Sequence, residues 1–345
     1  MRITSLIFVA LLSVPAFSEP VPATAFTPCI RIASWNVENL YDTEDDPAND
    51  GDDAYTPDGW VRWSKARYAL KLEHLAEIIA KMKPDVLCLS EIENRRVLED
   101  LRRTLKEKQS YDLPVILHRE GRDPRGIDVA MLSRHAAVAT NWLPNATRET
   151  LACDFEIGGR RLTVLANHWK SQTGKKAEND EIRRKDALAV RRFLDARLAE
   201  NPAAAIVVAG DFNDQVTSPI MTDTAGFVLD TRTVLADEQG RLLFNVSASL
   251  PANERGTYWY NAGKTWNSFD SISVTRGMLL GAEQSAPWRV LEKTYRVFKT
   301  PAQLDEDGHP IPFRFVRSKA KGDAFKTGYS DHFPVMVELE ALSLK

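Results

Sequence analysis

The stretch Ile206 to Asp214, Ile-Val-Val-Ala-Gly-Asp-Phe-Asn-Asp, constrains this chain more than any other. Its apolar run predicts a short buried strand, broken at Gly210, with polar side chains at its carboxyl end. Residues two apart on extended backbone share a face, so Asp211 and Asn213 are expected to address one cavity while Phe212 turns into packing. Asp and Asn are also ordinary turn residues after a strand, and Asp214 has the alternative of capping the next element. Whether this is a site depends on partners elsewhere in the chain.

Those partners are expected at other strand ends. Residues 30–36 predict a strand ending at Asn36, and the continuous apolar run 85–90 predicts one covered on both faces that ends at Glu91. A hairpin pairs 151–157 with 161–166 through Gly158 and Gly159, and its second strand ends at Asn167 and His168. Residues 127–132 form another strand with Asp128 near its start, and the last strand comes after Asp331 and His332. Helices are expected over 65–82, about 96–108 and 181–198, the last with a solvated basic face. In a sheet-based fold, five such strand ends gather along one edge, where sites usually lie. Hard oxygen ligands without a cysteine or multi-histidine set favour Mg²⁺, Mn²⁺ or Ca²⁺ over zinc.

The loop from Asp42 to Gly59 is crowded with carboxylates, but its spacing is not that of an EF-hand, and it reads as solvated. Residues 257–260 and 266–274 read as two strands joined at Gly263, with their aromatics assigned to packing before substrate stacking. Net charge is −3 over 345 residues, so the whole-molecule field does not draw the chain to nucleic acid, and an anionic substrate must be met locally. Arg2, an apolar run and small residues at Ala16 and Ser18 describe a cleavable export signal over 1–18, then an extension at 19–29 and one domain over 30–345. The mature protein is expected to be secreted or periplasmic, a monomer without stable membrane insertion. Cys88 reads as a core thiol, while Cys29 and Cys153 have a disulfide open to them.

The motifs Trp35-Asn36-Val37-Glu38-Asn39, Leu89-Ser90-Glu91, Asn167-His168-Trp169-Lys170-Ser171, Gly210-Asp211-Phe212-Asn213, Ser268-Phe269-Asp270 and Ser330-Asp331-His332 occur in this order. Together they resemble the endonuclease/exonuclease/phosphatase superfamily, the fold of pancreatic-type DNase, and most closely its exported bacterial members. The resemblance implies a four-layer α/β sandwich, two packed mixed sheets flanked by helices, and metal-dependent phosphoester hydrolysis. It also implies metal ligation by Glu91 and Asn36 with Asp331 as a further ligand, and a water oriented by Asp211. Asn213 corresponds to the amide that holds phosphate or water, His332 to a phosphate-side imidazole fixed by Asp270, and His168 to a second imidazole. The position of Asp128 suggests that it pairs with His168. Asn167, Lys170 and Arg125 are expected to hold substrate, with Arg134 a further cation to consider. Glu38 stands where some relatives carry an Asp ligand. The function expected is an exported nuclease acting on DNA, and on RNA as a further substrate. The alternative is a phosphodiesterase or phosphatase for lipid headgroups, nucleotides or inositol phosphates, since the same core serves all of these.

Overall fold

The computed structural model describes residues 29–343 except 48, 280, 283–284 and 318–321. The expected export signal, and all but the last residue of the 19–29 extension, lie outside the described residues. The first half of the chain supplies β1 (Cys29–Leu40), β2 (Val86–Ile92), β3 (Val115–Leu117), β4 (Asp128–Ser133), β5 (Ala137–Leu143), β6 (Thr150–Ile157) and β7 (Arg160–His168). Then come β8 (Ile206–Asp211), β9 (Phe227–Val228), β10 (Leu243–Asn245), β11 (Tyr258–Tyr260), β12 (Thr265–Asn267) and β13 (Asp270–Thr275). Last are β14 (Trp288–Val297), β15 (Phe313–Val316), β16 (Ala324–Thr327) and β17 (Val335–Ala341). The main helices are α1 (Lys65–Met82), α2 (Arg95–Gln109) and α3 (Lys176–Glu200).

Six strands make one mixed sheet in the order β14, β17, β1, β2, β4, β3, and seven make a second in the order β5, β6, β7, β8, β13, β10, β9. The pairs β11/β12 and β15/β16 stand apart as two-stranded ribbons. Alternation along β1 shows how the layers arise. Ile30 and Ile32 point into the core between the sheets with Met131, Val164, Val207 and Ile272, while Ala33, Trp35 and Val37 pack outward with α1 and α2. On the other flank α3 lays Ala187, Val190 and Leu194 over Leu165, Ile206 and Val208. Both sheets are therefore covered on two faces, which is why β2 and β8 read as unbroken apolar runs.

Local signals set the boundaries where they were clearest. Helix α1 begins after Ser64, whose side chain accepts from Arg67 N at 3.3 Å, and ends at left-handed Lys83 just before Pro84. Helix α3 starts at Lys176, five residues before the predicted start. Its basic face is not wholly solvated. Arg183 and Arg191 are buried and donate to the carbonyls of Lys170 (3.0 Å), Ala225 (3.2 Å) and Arg241 (2.6 Å). The predicted strand 266–274 divides into β12 and β13, and only β13 joins the large sheet. The three cysteines are free, with Cys153 sealed in the inter-sheet core and Cys29 exposed on the other sheet, so the Cys29–Cys153 disulfide is not formed.

Candidate active site

Sheet register builds half of the site. Strands β7 and β8 run parallel with His168 opposite Asp211, and β13 runs antiparallel with Asp270 opposite Asp211. These three residues thus share one rung across three strands. The rung closes only because residue 210 is glycine. Its φ is +153°, and a Cβ there would lie 2.2 Å from the Asn167 carbonyl oxygen.

The first sheet supplies the other half. Its β1/β2 register shifts after Asn36, and Glu38, Asn39 and Glu91 all adopt positive φ (55°, 55° and 65°). Left-handed backbone at three non-glycine residues is costly and marks a place where side chains are re-aimed. Glu91 Oε2 accepts from Asn39 N at 2.8 Å, and the Asn36 amide donates to Asp211 Oδ2 (2.9 Å) and more weakly to Glu91 Oε1 (3.4 Å). Asn36 therefore links the carboxylates of the two sheets.

Asp331 and His332 stand at the entrance of β17, which runs antiparallel to β1 and so opens at the same edge. Ser330 donates to Asn36 O at 2.7 Å, and Trp35 Nε1 donates to His332 O at 2.9 Å, pinning this loop to β1. His332 Nδ1 lies 2.7 Å from Asp270 Oδ2, and its Nε2 is 4.0 Å from Asp211 Oδ2. His168 Nε2 lies 3.7 Å from that same oxygen and 3.9 Å from Glu91 Oε1.

Environment drives the two imidazoles apart. Burial and then the positive charges of Arg148, Arg125, His332 and Lys170 push His168 well below the usual histidine range. For His332 burial alone would do the same, but Asp270 and Asp211 outweigh it and hold the ring charged. Asp211 is pushed up to about 6 by burial and by Asp270, against the pull of His332 and the amides of Asn36 and Asn213. Its Oδ1 accepts from Asn213 N at 2.9 Å and its Oδ2 from Asn213 Nδ2 at 3.2 Å.

A cleft of about 760 Å³ opens over these groups, lined by Asn36, Glu91, Arg125, His168, Asp211, Asn213, Asp331 and His332, with Asp270 directly behind His332. Five expectations need correction. Asp128 does not pair with His168, because the turn at Gly121 captures its carboxylate (Gly121 N to Oδ2, 3.0 Å) with His118 Nε2 at 3.5 Å, and His168 Nδ1 has no hydrogen-bond partner among the described residues. Asn167 does not reach the cleft. Its buried amide locks strands together, accepting from Thr150 Oγ1 at 2.7 Å and donating to Ala209 O at 3.1 Å. Lys170 does not line the cleft, and Arg134 pairs with Asp85 at the opposite end of β2. Asp331, expected to ligate metal, is instead engaged by Arg314, which also binds the buried Glu38 and holds the Asp331 carboxyl low despite its burial.

Two arginines escaped prediction. Arg148 is buried, donates to the carbonyls of His168 (3.1 Å) and Trp169 (2.8 Å), and pairs with Asp123 at 2.7 Å. Arg314 comes from the β15/β16 ribbon. Arg148 lies in an irregular loop, and Arg314 in a strand of only four residues whose Phe313-Arg314-Phe315 alternation was the one signal that could have pointed to it.

The donor set fits a hard divalent ion. Glu91 keeps Oε1 committed only to the long amide contact, and among the described residues no thiolate lines the cleft. Asp211, Asp270 and His332 form a closer group, with ligand atoms within 4.8 Å of one another, but Asp270 and His332 already satisfy each other. Glu91 with Asn36 is the pair that could hold a cation.

A fold of two mixed sheets with flanking helices and a carboxylate-imidazole cleft at one edge defines a DNase I-like phosphoesterase. The description of the Endonuclease/Exonuclease/phosphatase family matches residues 31–341, and the chain belongs to that family, whose members are divalent-metal-dependent phosphoester hydrolases. The fold is similar to that of humanized Danio rerio TDP2 (TM-score 0.54, 17% identity, covering 90% of this chain and 98% of that one). It is likewise similar to an endonuclease/exonuclease/phosphatase family protein from Bacteroides thetaiotaomicron (0.53, 17%, 92% and 99%). A mannosyl-6-phosphatase from the same bacterium is a third such structure (0.53, 19%, 90% and 99%). No curated protein matches the sequence significantly.

Proposed function

We propose that the protein is an exported, monomeric, Mg²⁺-dependent nuclease that hydrolyses DNA, and RNA as a further substrate, with little sequence preference. The observation that carries this reading is the make-up of the cleft mouth. Trp60 (53% exposed) and Tyr260 (49% exposed) stand open at its rim, with Tyr55, Tyr258 and Phe315 behind them and Arg125, Arg148 and Arg314 on its lining. Exposed aromatics beside guanidinium groups suit successive bases and phosphates, whereas a single small phosphoester needs no such surface. A Danio rerio TDP2 structure solved with a single-strand DNA product supports the reading.

Each role rests on the geometry. Glu91 and Asn36 would hold the divalent ion, which, when bound, supplies positive charge to offset that gathering on the phosphate oxygens. Asp211, fixed by two amides and poised near neutrality, orients the attacking water and accepts its proton. Charged His332 donates from Nε2 to a phosphate oxygen, with Asp270 fixing the ring, and neutral His168 donates from the other side. Exposed Arg125 on the cleft lining meets a flanking phosphate, while Arg148 and Arg314, held by Asp123 and by Glu38 with Asp331, keep the walls of the site in place.

The test is incubation of purified protein with plasmid DNA, single-stranded DNA, RNA, sphingomyelin and a hexose 6-phosphate, each with Mg²⁺, Mn²⁺, Ca²⁺ or EDTA. Cleavage of nucleic acid that EDTA abolishes is the expected result. Intact DNA and RNA beside turnover of a lipid or sugar phosphate would overturn the nuclease reading and leave the phosphoesterase standing.

A further inference from the structure

Between Asp42 and Val61 the chain carries eight acidic residues and no Lys or Arg. This loop is not simply solvated. Asp42, Asp52 and the facing Glu93 are each 5% exposed or less. Asp42 has the Asn94 amide at 3.2 Å and Arg96 at 3.9 Å, and Glu93 accepts from Asp42 N at 2.7 Å. Asp52 is the anomaly. Its Oδ2 accepts from Asp46 N at 2.9 Å, but its Oδ1 is buried with no hydrogen-bond partner among the described residues. Nor, among those residues, does a cationic side chain pair with it. Burial raises its carboxyl, and the charges of Asp45 and Asp46 add to that rise against two backbone N–H bonds. A buried carboxylate oxygen with neither a donor nor a countercharge is costly and calls for a missing partner.

The missing partner has a place. One oxygen from each of Asp45, Asp52 and Asp53 lies within 4.8 Å of the others. We propose that these three carboxylates bind Ca²⁺ at a site separate from the catalytic centre, and that the ion braces the aromatic wall of the cleft. An all-oxygen set on a loop, two of its three carboxylates open to solvent, suits the six to eight flexible ligands of Ca²⁺ better than the strict octahedron of Mg²⁺, and it offers zinc no nitrogen or sulfur.

The connection to the cleft runs through short contacts. Tyr55 N donates to Asp52 O at 2.6 Å, and the Tyr55 ring, which lines the cleft, stacks on Tyr41 at 4.0 Å. Tyr41 in turn donates to Arg125 O at 2.5 Å. Gly51 packs so closely on the same segment that a Cβ would lie 2.5 Å from the Arg125 carbonyl carbon. An ion on Asp52 therefore steadies both Tyr55 and the loop that carries Arg125.

Calorimetric titration of EDTA-stripped Glu91→Gln protein with Ca²⁺ tests this, since the substitution removes the catalytic ion's main ligand. One equivalent should bind. It should be lost in Glu91→Gln/Asp45→Asn/Asp53→Asn, whose two added changes sit at exposed positions and spare the core. Ca²⁺ should raise the melting temperature of the first protein and not of the second. No uptake by Glu91→Gln, or undiminished uptake by the triple variant, overturns the proposal. Asp52→Asn in the Glu91→Gln background, checked for its fold by near-ultraviolet circular dichroism, should also lose the equivalent. Binding retained in that folded variant overturns it equally.

Discussion

His332 and Asp270 meet at 2.7 Å from two different sheets, Nδ1 against Oδ2, so that one hydrogen bond joins the β17 entrance to the start of β13. This contact fixes both the tautomer and the charge of the ring. Asp270→Asn keeps the shape but removes the charge, and it should lower turnover by ~10² to 10⁴-fold while leaving the fold intact. It should also flatten the pH dependence of stability. The folded value of His332 lies above the unfolded value near 6.5, so its contribution is full below about pH 6.5 and is lost as pH rises through the folded value. Urea unfolding across this range in both proteins reads the difference, and equal slopes would refute the assignment.

The two imidazoles should be distinguishable directly. Nitrogen-15 correlation spectra of the histidine side chains near pH 7 should show His332 doubly protonated and His168 neutral. Two rings in the same state would contradict the electrostatics of the cleft.

Arg148 pairs with Asp123 where both side chains are 5% exposed. Replacing it with Met strands a buried carboxylate, and Arg148→Met should cost ~3–5 kcal/mol in denaturant unfolding. Asp123→Asn in the same chain should restore part of that loss. Activity should not return with it, because the His168 and Trp169 carbonyls still lack their donor.

Gly210→Ala tests the closeness of β7 and β8. The added methyl meets the Asn167 carbonyl at 2.2 Å and must push apart the strands that carry His168 and Asp211. Destabilisation of at least ~2 kcal/mol is expected, with a loss of turnover larger than instability explains. A variant with wild-type stability would show that the strands sit farther apart.

Trp60 is exposed, so Trp60→Ala should leave the melting temperature nearly unchanged. Affinity for single-stranded DNA should weaken by ~1–3 kcal/mol, as expected for a lost stacking platform, when measured by anisotropy in a Glu91→Gln background. Unchanged affinity would remove Trp60 from the binding surface.

Much of this arrangement was legible in the chain because the chemistry sits on strongly patterned elements. Asp211 and His168 close apolar strands, Asn36 and Glu91 stand where the β1/β2 register shifts, and α1 stops before Pro84. The misses are equally physical. Arg148 and Arg314 lie in segments whose hydrophobic pattern is set by neither a helix nor a covered strand. Asn167 carries a motif amide that the fold spends on joining strands. Asp128 was paired by strand position alone, which says nothing of the turn that captures it.

The rung shared by His168, Asp211 and Asp270 bears on how the cleft could be redesigned. Its geometry is written into the alignment of three covered strands, whereas the β11/β12 and β15/β16 ribbons that wall the cleft belong to neither sheet. Each ribbon nonetheless reaches the site, through Arg314 on Asp331 and Glu38 and through the Tyr258–His332 bridge, so a ribbon grafted from a relative would reshape the cleft wall only if it rebuilt those contacts.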